Sequence, residues 1–492
     1  MPGGRSRLRC MCCCAATLWL AGCAVGPDFK RPEAPDLKKY TAETVNLAAA
    51  GSEDKQSLGI GKKISGQWWQ LFKSKRLDAV LDQAITQNLT LFAAKSTLDQ
   101  ARDAVDQSVG GLWPHVQLTA GASRQQTNQA ALGINSPHVV SNLYTVGPNV
   151  SYTLDLFGGV RRQVEQQEAL AEYQEYQLDA AYLTLTGDVV TQAIAIGSAR
   201  EQMKAASEII ADDERYVKLI SDQLAVGEAT RTDLEQARSQ LTADRTLIPP
   251  LVQQVNVAKH ALAVLVGKAP AQWLAPDFDL AEFALPPELP LTLPSELVHQ
   301  RPDILSAEAQ LHAASAAVGV ATAQLYPNIT LSGSFAQQAL STSNLFTGAS
   351  SIWSLGSQLT APIFQGGALT AQKQGAVDAF KAKAATYQQT VITAFAQVAD
   401  VLTALQYDAQ FLTQEREALE SAARSLQLSR QTFGRGSITV LQVLDAARQY
   451  EQARLAYIKA KAQRYLDTSQ LFNAMGGGWW EWRAVDASAA AH

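Results

Sequence analysis

The sequence predicts a mixed α+β membrane protein, in which strands from several copies of the chain close a β-barrel and long α-helices continue it. Three observations predict this fold class. The order helix, strand, strand, long helix, helix occurs twice along the chain. The strand segments alternate between apolar and polar but almost uncharged residues, as the strands of a water-filled barrel do. The helical stretches are much longer than the helices of ordinary globular domains.

The N-terminus has the features of a secretory signal. Residues 1–9 carry three arginines and no acid, and an apolar run follows over 11–21, which is too short to span a bilayer. The run ends in LAGC at 20–23, which resembles the lipobox of bacterial lipoproteins. We therefore predict that Cys23 becomes the first mature residue and carries a diacylglycerol and an N-acyl chain. An ordinary signal peptide that happens to end in cysteine is the alternative.

Composition excludes several function classes. With 47% hydrophobic and 18% charged residues the chain is not disordered, and a net charge of −5 argues against a nucleic-acid binder. All five cysteines lie within the first 23 residues, which excludes a disulfide scaffold and a catalytic thiolate in the rest of the chain. The six histidines are scattered. We therefore predict no catalytic residue and no metal site.

An internal duplication organises the chain. Residues 98–123 align with 311–336 at an offset of 213, and residues 227–230 align with 436–439 at an offset of 209. Two copies of about 210 residues indicate a duplication and not a solenoid. The predicted segments are a signal peptide (1–22), a lipidated N-terminal segment (23–64), the first repeat (65–267), a Pro-rich linker (268–294), the second repeat (295–475) and a C-terminal tail (476–492).

Within each copy a helical stretch, at 75–111 and again at 295–324, comes before a proline. Two strands follow, with a polar loop between them, and then comes a Gly-Gly turn. We predict that Gly158, Gly159, Gly366 and Gly367 permit the chain to turn from strand to helix. A phosphate-binding role is disfavoured, because no Lys-Ser/Thr follows either pair. Long helices are predicted over 160–226 and 368–434, and closing helices over 231–266 and 440–475.

Apolar residues at heptad spacing in the second long stretch, from Leu412 to Phe433, indicate packed helices. A plain long coiled coil is the alternative for these stretches. For the strands, the alternative is an ordinary half-buried soluble sheet. Aromatic residues near strand ends are candidates for interfacial girdles, with ordinary packing as the alternative: Trp113, Tyr144, Tyr326 and Trp353.

Geometry requires more than one chain. No stretch after Cys23 is apolar enough for a transmembrane helix, so any span there must be a β-barrel. Four strands cannot close a transmembrane barrel, which needs at least about eight. Two chains would supply about eight strands and a filled lumen, whereas three would supply about twelve and leave room for a channel.

Three ordered motifs resemble the TolC/OprM/NodT-like outer-membrane efflux lipoprotein family, the outer-membrane component of tripartite efflux systems. They are CAVGPDFKRP at 23–32, WWQLF at 68–72 and RPDI at 301–304. The resemblance implies a homotrimer with a twelve-stranded barrel in the outer membrane and an α-helical tunnel across the periplasm. It also implies docking on a periplasmic adaptor protein and on an inner-membrane pump of the resistance-nodulation-division (RND) type.

The same resemblance places the channel entrance at the helix turns around 227–233 and 436–445. Asp445 matches one position of an inner ring of acids, and Gln442 stands at the other position. Asp233 matches an acid that joins neighbouring helices at the tip. The alternative for Asp233 and Gln442 is helix capping, because each lies three residues after a threonine. The alternative for Asp445 is a solvated or salt-bridged helix face.

We therefore expect a passive outer-membrane exit duct for drugs or other small toxic solutes in a Gram-negative bacterium. A type I protein-secretion duct and a heavy-metal efflux duct are alternatives within transport. A lipid-anchored structural coiled coil is the alternative from another class. An enzyme is disfavoured, because the chain shows no nucleophile, metal or paired-acid constellation.

Overall fold

The computed structural model describes residues 24–42, 56–127 and 139–480. Before the first copy lies a short strand, β1 (Ser57–Ile60). The first copy consists of α1 (Lys75–Gln87), α2 (Leu89–Gly110), β2 (His115–Thr127), β3 (Val139–Leu154), α3 (Gly159–Ala225), α4 (Arg231–Arg245) and α5 (Ile248–Leu265). Strand β4 (Glu288–Leu291) precedes the second copy, which consists of α6 (Pro294–Leu297), α7 (Pro302–Ala323), β5 (Asn328–Ala339), β6 (Ser351–Thr360), α8 (Ala368–Phe433) and α9 (Val440–Ala474).

The described residues form two compact units, and neither unit is one repeat. The first unit comprises residues 24–31, 98–127, 139–174 and 307–387. The second unit comprises residues 32–42, 56–97, 175–306 and 388–480. Each unit takes residues from both copies, so the duplicated halves are interleaved. The predicted signal peptide 1–22, Cys23 and the end of the predicted tail, 481–492, lie outside the described residues.

The first unit contains a four-stranded antiparallel sheet with the order β2-β3-β5-β6. The two copies meet in its middle, where β3 pairs with β5, and the predicted two strands per copy are confirmed. The ladder between β3 and β5 is interrupted at Gly147 and Pro148. A Cβ at Gly147 would lie 2.1 Å from the carbonyl oxygen of Phe335, so only glycine fits at this crossing.

The two long helices agree with the sequence prediction to within one residue at each end. Helix α3 has 67 residues and α8 has 66, so at a rise of 1.5 Å per residue each is about 100 Å long. Both end where the sequence predicts, just before the turns that contain Gly227 and Gly436. None of the helices that the structure describes is both long and apolar enough to cross a membrane.

The closing helix predicted over 231–266 is wrong as a single helix. Helix α4 ends at Arg245, and α5 begins at Ile248 with prolines in its first turn. Pro249 and Pro250 cannot donate backbone hydrogen bonds to the preceding turn, so a helix starts there more readily than it continues. The second copy has no proline at the corresponding place, and α9 runs unbroken for 35 residues.

Aromatic side chains form the core of the second unit. Trp68 stacks on Phe472 with ring centroids 5.2 Å apart, and Phe72 meets the ring of Phe283 edge-on. The hydroxyl of Tyr465 donates to the carbonyl oxygen of Phe283 over 2.9 Å. The predicted linker therefore does more than join the copies. It supplies Phe283 to this core, and its strand β4 pairs in parallel with β1.

Candidate functional site

The two helix turns that the sequence singles out have the same backbone geometry. Gly227 and Gly436 have φ values of 81° and 74°, and open space surrounds both. In the first turn Glu228 N–H donates to the carbonyl oxygen of Gln223 over 2.8 Å, and in the second Ser437 N–H donates to that of Thr432 over 3.1 Å. These are the six-to-one bonds of a helix that ends on a left-handed glycine. The two copies therefore end their long helices alike.

A capped helix follows each turn. Thr230 N–H donates to Oδ2 of Asp233 over 2.9 Å, and Asp233 N–H donates to Oγ1 of Thr230 over 3.2 Å. In the second copy Thr439 N–H donates to Oε1 of Gln442 over 3.2 Å. Hydrogen bonds from Thr230 hold the pKa of Asp233 below its usual range. Asp233 and Gln442 thus make the capping contacts, and their role at a channel entrance stays a prediction.

Asp445 lies one turn further along α9 than the capping residue, with 48% of its side chain exposed. Its carboxylate accepts hydrogen bonds from Arg448 and, over 3.0 Å, from Nε2 of Gln449. It borders a groove of about 600 Å³ between α4 and α9, which Gln236 and Gln240 of α4 also line. Within one chain Asp445 is therefore partly salt-bridged, and its predicted role in a pore stays a prediction.

Each turn and the two helices that flank it are called a hairpin, α3 with α4 in the first copy and α8 with α9 in the second. An apolar cluster joins the two hairpins just beside these turns. Its buried members come from three helices: Ile220 of α3, Leu234 and Ala237 of α4, and Val440 and Leu444 of α9. Phe433 at the end of α8 packs against this cluster and also against a neighbouring one around Val443. Apolar burial of this kind holds all four helices together next to the turns.

Ion pairs between the hairpins extend this packing, and the sequence analysis did not anticipate them. Arg430 of α8 donates to Oδ2 of Asp212 on α3 over 2.6 Å, and its guanidinium lies 5.7 Å from the centroid of the Tyr216 ring. Arg454 of α9 donates to Glu208 of α3 over 2.5 Å. The partners are more than 200 residues apart in the chain, so no local pattern could have indicated these pairs.

The glycine pairs lie where strands lead into the long helices. Gly158, Gly366 and Gly367 have positive φ, whereas Gly159, the first residue of α3, does not. The side chain of Asp155, which precedes this turn, accepts hydrogen bonds from two backbone N–H groups in the first turn of α3. Three of the four glycines thus adopt a conformation that L-residues avoid.

The segment after Cys23 packs against this same turn. A Cβ on Gly158 would lie 2.6 Å from Cα of Ala24, and Val25 N–H donates to the carbonyl oxygen of Phe157 over 3.0 Å. Further along, Asp28 accepts a hydrogen bond over 2.6 Å from Arg162, which is 95% buried. The chain that leaves the predicted lipidation site is therefore held at the junction of strand and helix.

Comparison with known proteins decides the family. The family model described as outer membrane efflux protein matches residues 80–268 and 293–477. The chain belongs to this family. The two matched segments fall on the two copies of the repeat, so each copy carries the family pattern.

Individual outer membrane efflux proteins resemble the chain over most of its length. The pyoverdine export outer membrane protein OpmQ of Pseudomonas aeruginosa is 33% identical over 84% of this chain and 87% of its own. The probable outer membrane lipoprotein SilC of Salmonella typhimurium is 27% identical over 94% of this chain and 97% of its own. The solved outer-membrane channel OprN superposes with a TM-score of 0.84 at 27% identity, covering 93% of this chain and all of its own.

These findings confirm several predictions made from the sequence. The protein is an efflux component of the outer membrane, with the fold of an outer-membrane channel. The prediction of a passive duct and not an enzyme is confirmed by this family membership. The predicted absence of a metal site stays a prediction; within the described ranges, no group of three or more His, Cys, Asp or Glu side chains is arranged to hold a metal ion.

Proposed function

We propose that the chain is the exit channel of a tripartite efflux pump and that it works as a homotrimer. The observation that carries this proposal is the four-stranded sheet, in which β2 and β6 each have one partner strand within the part of the chain that the structure describes. Unpaired backbone groups are not tolerated in a hydrocarbon phase, so these edges must pair with strands of other copies. Three copies supply about twelve strands, enough for a barrel with an open channel.

The edge strands carry the surfaces that such a barrel needs. On one face of β6, Trp353 and Leu355 are 73% and 82% exposed, and Leu118 of β2 is 75% exposed. The residues on the opposite face of β6, such as Ser354 and Gln358, are polar and uncharged. We assign the apolar face to lipid and the polar face to the lumen. Trp353 is then a candidate for an interfacial girdle.

Beyond the barrel, the long helices provide the path across the periplasm. Helices α3 and α8 are each about 100 Å long, and the turns at Gly227 and Gly436 stand at one end of each. These turns are the proposed entrance, where three copies would bring three Asp445 carboxylates around one axis. A ring of carboxylates attracts cations and sets the selectivity of a constriction.

Single-channel recording of the purified protein in planar bilayers tests this role of Asp445. We expect Asp445→Asn to lower the preference for cations over anions by about twofold or more, because it removes three negative charges from the proposed ring. Asp378→Asn is the matched control, since Asp378 is an exposed acid near the start of α8. Unchanged conductance and selectivity in Asp445→Asn would rule out the ring.

The proposed partners are a periplasmic adaptor and an inner-membrane pump of the RND type, with a lipid anchor on Cys23. The name of the similar SilC, a probable outer membrane lipoprotein, supports the anchor. The packing of Ala24, the residue that follows Cys23 in the sequence, against Gly158 at the junction of strand and helix supports it as well. Mass spectrometry of the mature N-terminus, with Cys23→Ser as the unacylated control, tests the anchor.

The proposed cargo is small molecules, and the name of the similar OpmQ, a pyoverdine export protein, supports small-molecule export. The deciding experiment measures intracellular dyes, antibiotics, siderophores and metal ions in a strain that lacks the gene, with the gene restored as control. Accumulation of an organic class that restoration reverses supports the proposal. Accumulation of metal ions alone would replace it with a heavy-metal duct, and loss of a secreted protein alone with a type I secretion duct.

A further inference from the structure

Three buried carboxyl groups from three helices meet between the two hairpins. They belong to Asp213 of α3, Asp244 of α4 and Glu451 of α9, which are 2%, 5% and 4% exposed. Asp244 lies within hydrogen-bonding reach of both Asp213 and Glu451. We call these three residues the carboxyl triad. Neither the proposed channel path nor the capped turns make use of it.

The charged groups around the triad do not neutralise it. The nearby arginines pair with other acids, as follows: Arg430 of α8 with Asp212, Arg454 of α9 with Glu208, and Arg245 of α4 with Glu214. The side-chain amide of Gln240 on α4 donates to both oxygens of Asp244, over 2.9 and 3.1 Å. Oδ2 of Asp213 is buried and has no hydrogen-bond partner among the described residues. This oxygen would be satisfied by a bound proton or by a hydrogen-bond donor.

Two carboxylates in contact without a cation cannot both stay ionised at low cost, so such pairs share protons. Burial, followed by the neighbouring Asp244, Glu451 and Asp212, raises the pKa of Asp213 to about 8. Burial, followed by Asp244, raises the pKa of Glu451 to about 7. Asp213 and Glu451 therefore hold protons at neutral pH and lose them in mildly alkaline solution.

We propose that the carboxyl triad is a proton-controlled lock between the two helical hairpins. With its protons, the triad joins α3, α4 and α9 by hydrogen bonds between carboxyl groups. Without them, buried negative charges on three helices repel one another and loosen α9 from α3 and α4. The lock concerns the packing of these helices alone, so it does not depend on what the channel carries.

The direction of the pH effect follows from linkage. The pKa of Asp213 is about 8 in the folded protein, and an unfolded aspartate has a pKa of about 3.9. Between these values the folded state binds more protons than the unfolded state. The stability of the packing therefore falls as the pH rises through this window, and it levels off above about pH 8.

Hydrogen exchange of the full chain in detergent, compared at about pH 6 and about pH 8.5 and corrected for the intrinsic exchange rate, tests the lock. We expect protection of peptides covering 234–245 and 445–455 to fall at least about tenfold at the higher pH. Asp213→Asn keeps the side chain's size and cannot ionise, so it should remove most of this fall. Asp222→Asn, an exposed position on the same helix, should keep it. An equal fall in the wild type and in Asp213→Asn would overturn the proposal, and so would no fall in the wild type.

Infrared spectroscopy of the wild type gives a second test that needs no variant to fold. We expect the C=O stretching band of protonated carboxylic acids at neutral pH, and we expect it to disappear as the pH rises past about 8. In Glu451→Gln the band should weaken. A wild type without this band at neutral pH would contradict the lock, whatever the transport experiments show.

Discussion

The two hairpin tips have the same backbone and different chemistry. Both turns place a glycine at positive φ and a threonine at the N-cap. The residue three positions after the threonine is Asp233 in the first copy and Gln442 in the second, and the capping bond to the threonine N–H is 2.9 Å in one and 3.2 Å in the other. The duplication has therefore kept the shape of the tip while its charge has changed. Shape at this place depends on hydrogen-bonding groups, whereas the response to pH depends on which of them can ionise.

What both tips share should matter most to stability. Ile220 is fully buried and belongs to the apolar cluster, which holds residues of both hairpins. Ile220→Ala removes buried methyl groups and leaves a cavity, at a cost of about 2–5 kcal/mol. We expect protection against hydrogen exchange to fall by roughly thirtyfold or more at both tips together, since about 1.4 kcal/mol corresponds to tenfold.

Leu441→Ala serves as the control for this change, because Leu441 lies at the second tip, outside the buried apolar cluster, and is half exposed. A loss confined to the first hairpin in Ile220→Ala would mean that the two tips are not held together by the cluster.

A smaller effect is expected from the ion pair that links the hairpins. Arg430→Ala removes the bond to Asp212 and the contact with the Tyr216 ring, but the arginine side chain is 40% exposed and partly screened by water. We expect a loss of about 0.5–1 kcal/mol, decreasing as salt is added. Thermal unfolding at low and high salt measures it. Arg435→Ala, at an exposed turn position, should change nothing, and an equal loss in both variants would show that the Arg430 pair contributes no stability.

Most of the fold could be predicted from the sequence, because the same motifs and the same order of elements recur in both copies. The alignment of the turns around Gly227 and Gly436 placed both hairpins, and period-two alternation placed the strands. The break between α4 and α5 at Pro249 was not predicted, because the helical pattern was extended through a Pro-Pro pair that starts a new helix. Repeat logic favours one continuous helix in both copies, and local proline chemistry overrides it in one.

The site was less accessible to sequence reasoning. Capping of Asp233 and Gln442 could be predicted, since it needs residues only three apart. The ion pair of Arg430 with Asp212 and the carboxyl triad could not, because their members come from different helices and meet only through packing. Adjacent acids at Asp212 and Asp213 were the one local signal, but such a pair is typical of an exposed helix face.

The smallest effect that we predict is the acid sensitivity of the Asp233 cap, and it distinguishes the two tips most directly. Asp233 is partly buried, and hydrogen bonds from Thr230 lower its pKa. A carboxylate with a lowered pKa stabilises the fold above its unfolded pKa of about 3.9, and this contribution is lost as the pH falls through the folded value. The first turn of α4 should therefore open in acid, whereas the first turn of α9 should not, because Gln442 does not ionise.

Hydrogen exchange of peptides covering 230–236 and 439–445, followed from about pH 5 to about pH 3, measures this difference. Asp233→Gln should make the first tip behave like the second, and Gln442→Asp should give the second tip the acid sensitivity of the first. If acid opens both wild-type tips alike, the capping residue does not control the response, and a carboxylate elsewhere near the turns must. A clean exchange of behaviour between the two variants would show that one side chain on a shared backbone decides how each tip responds to acid.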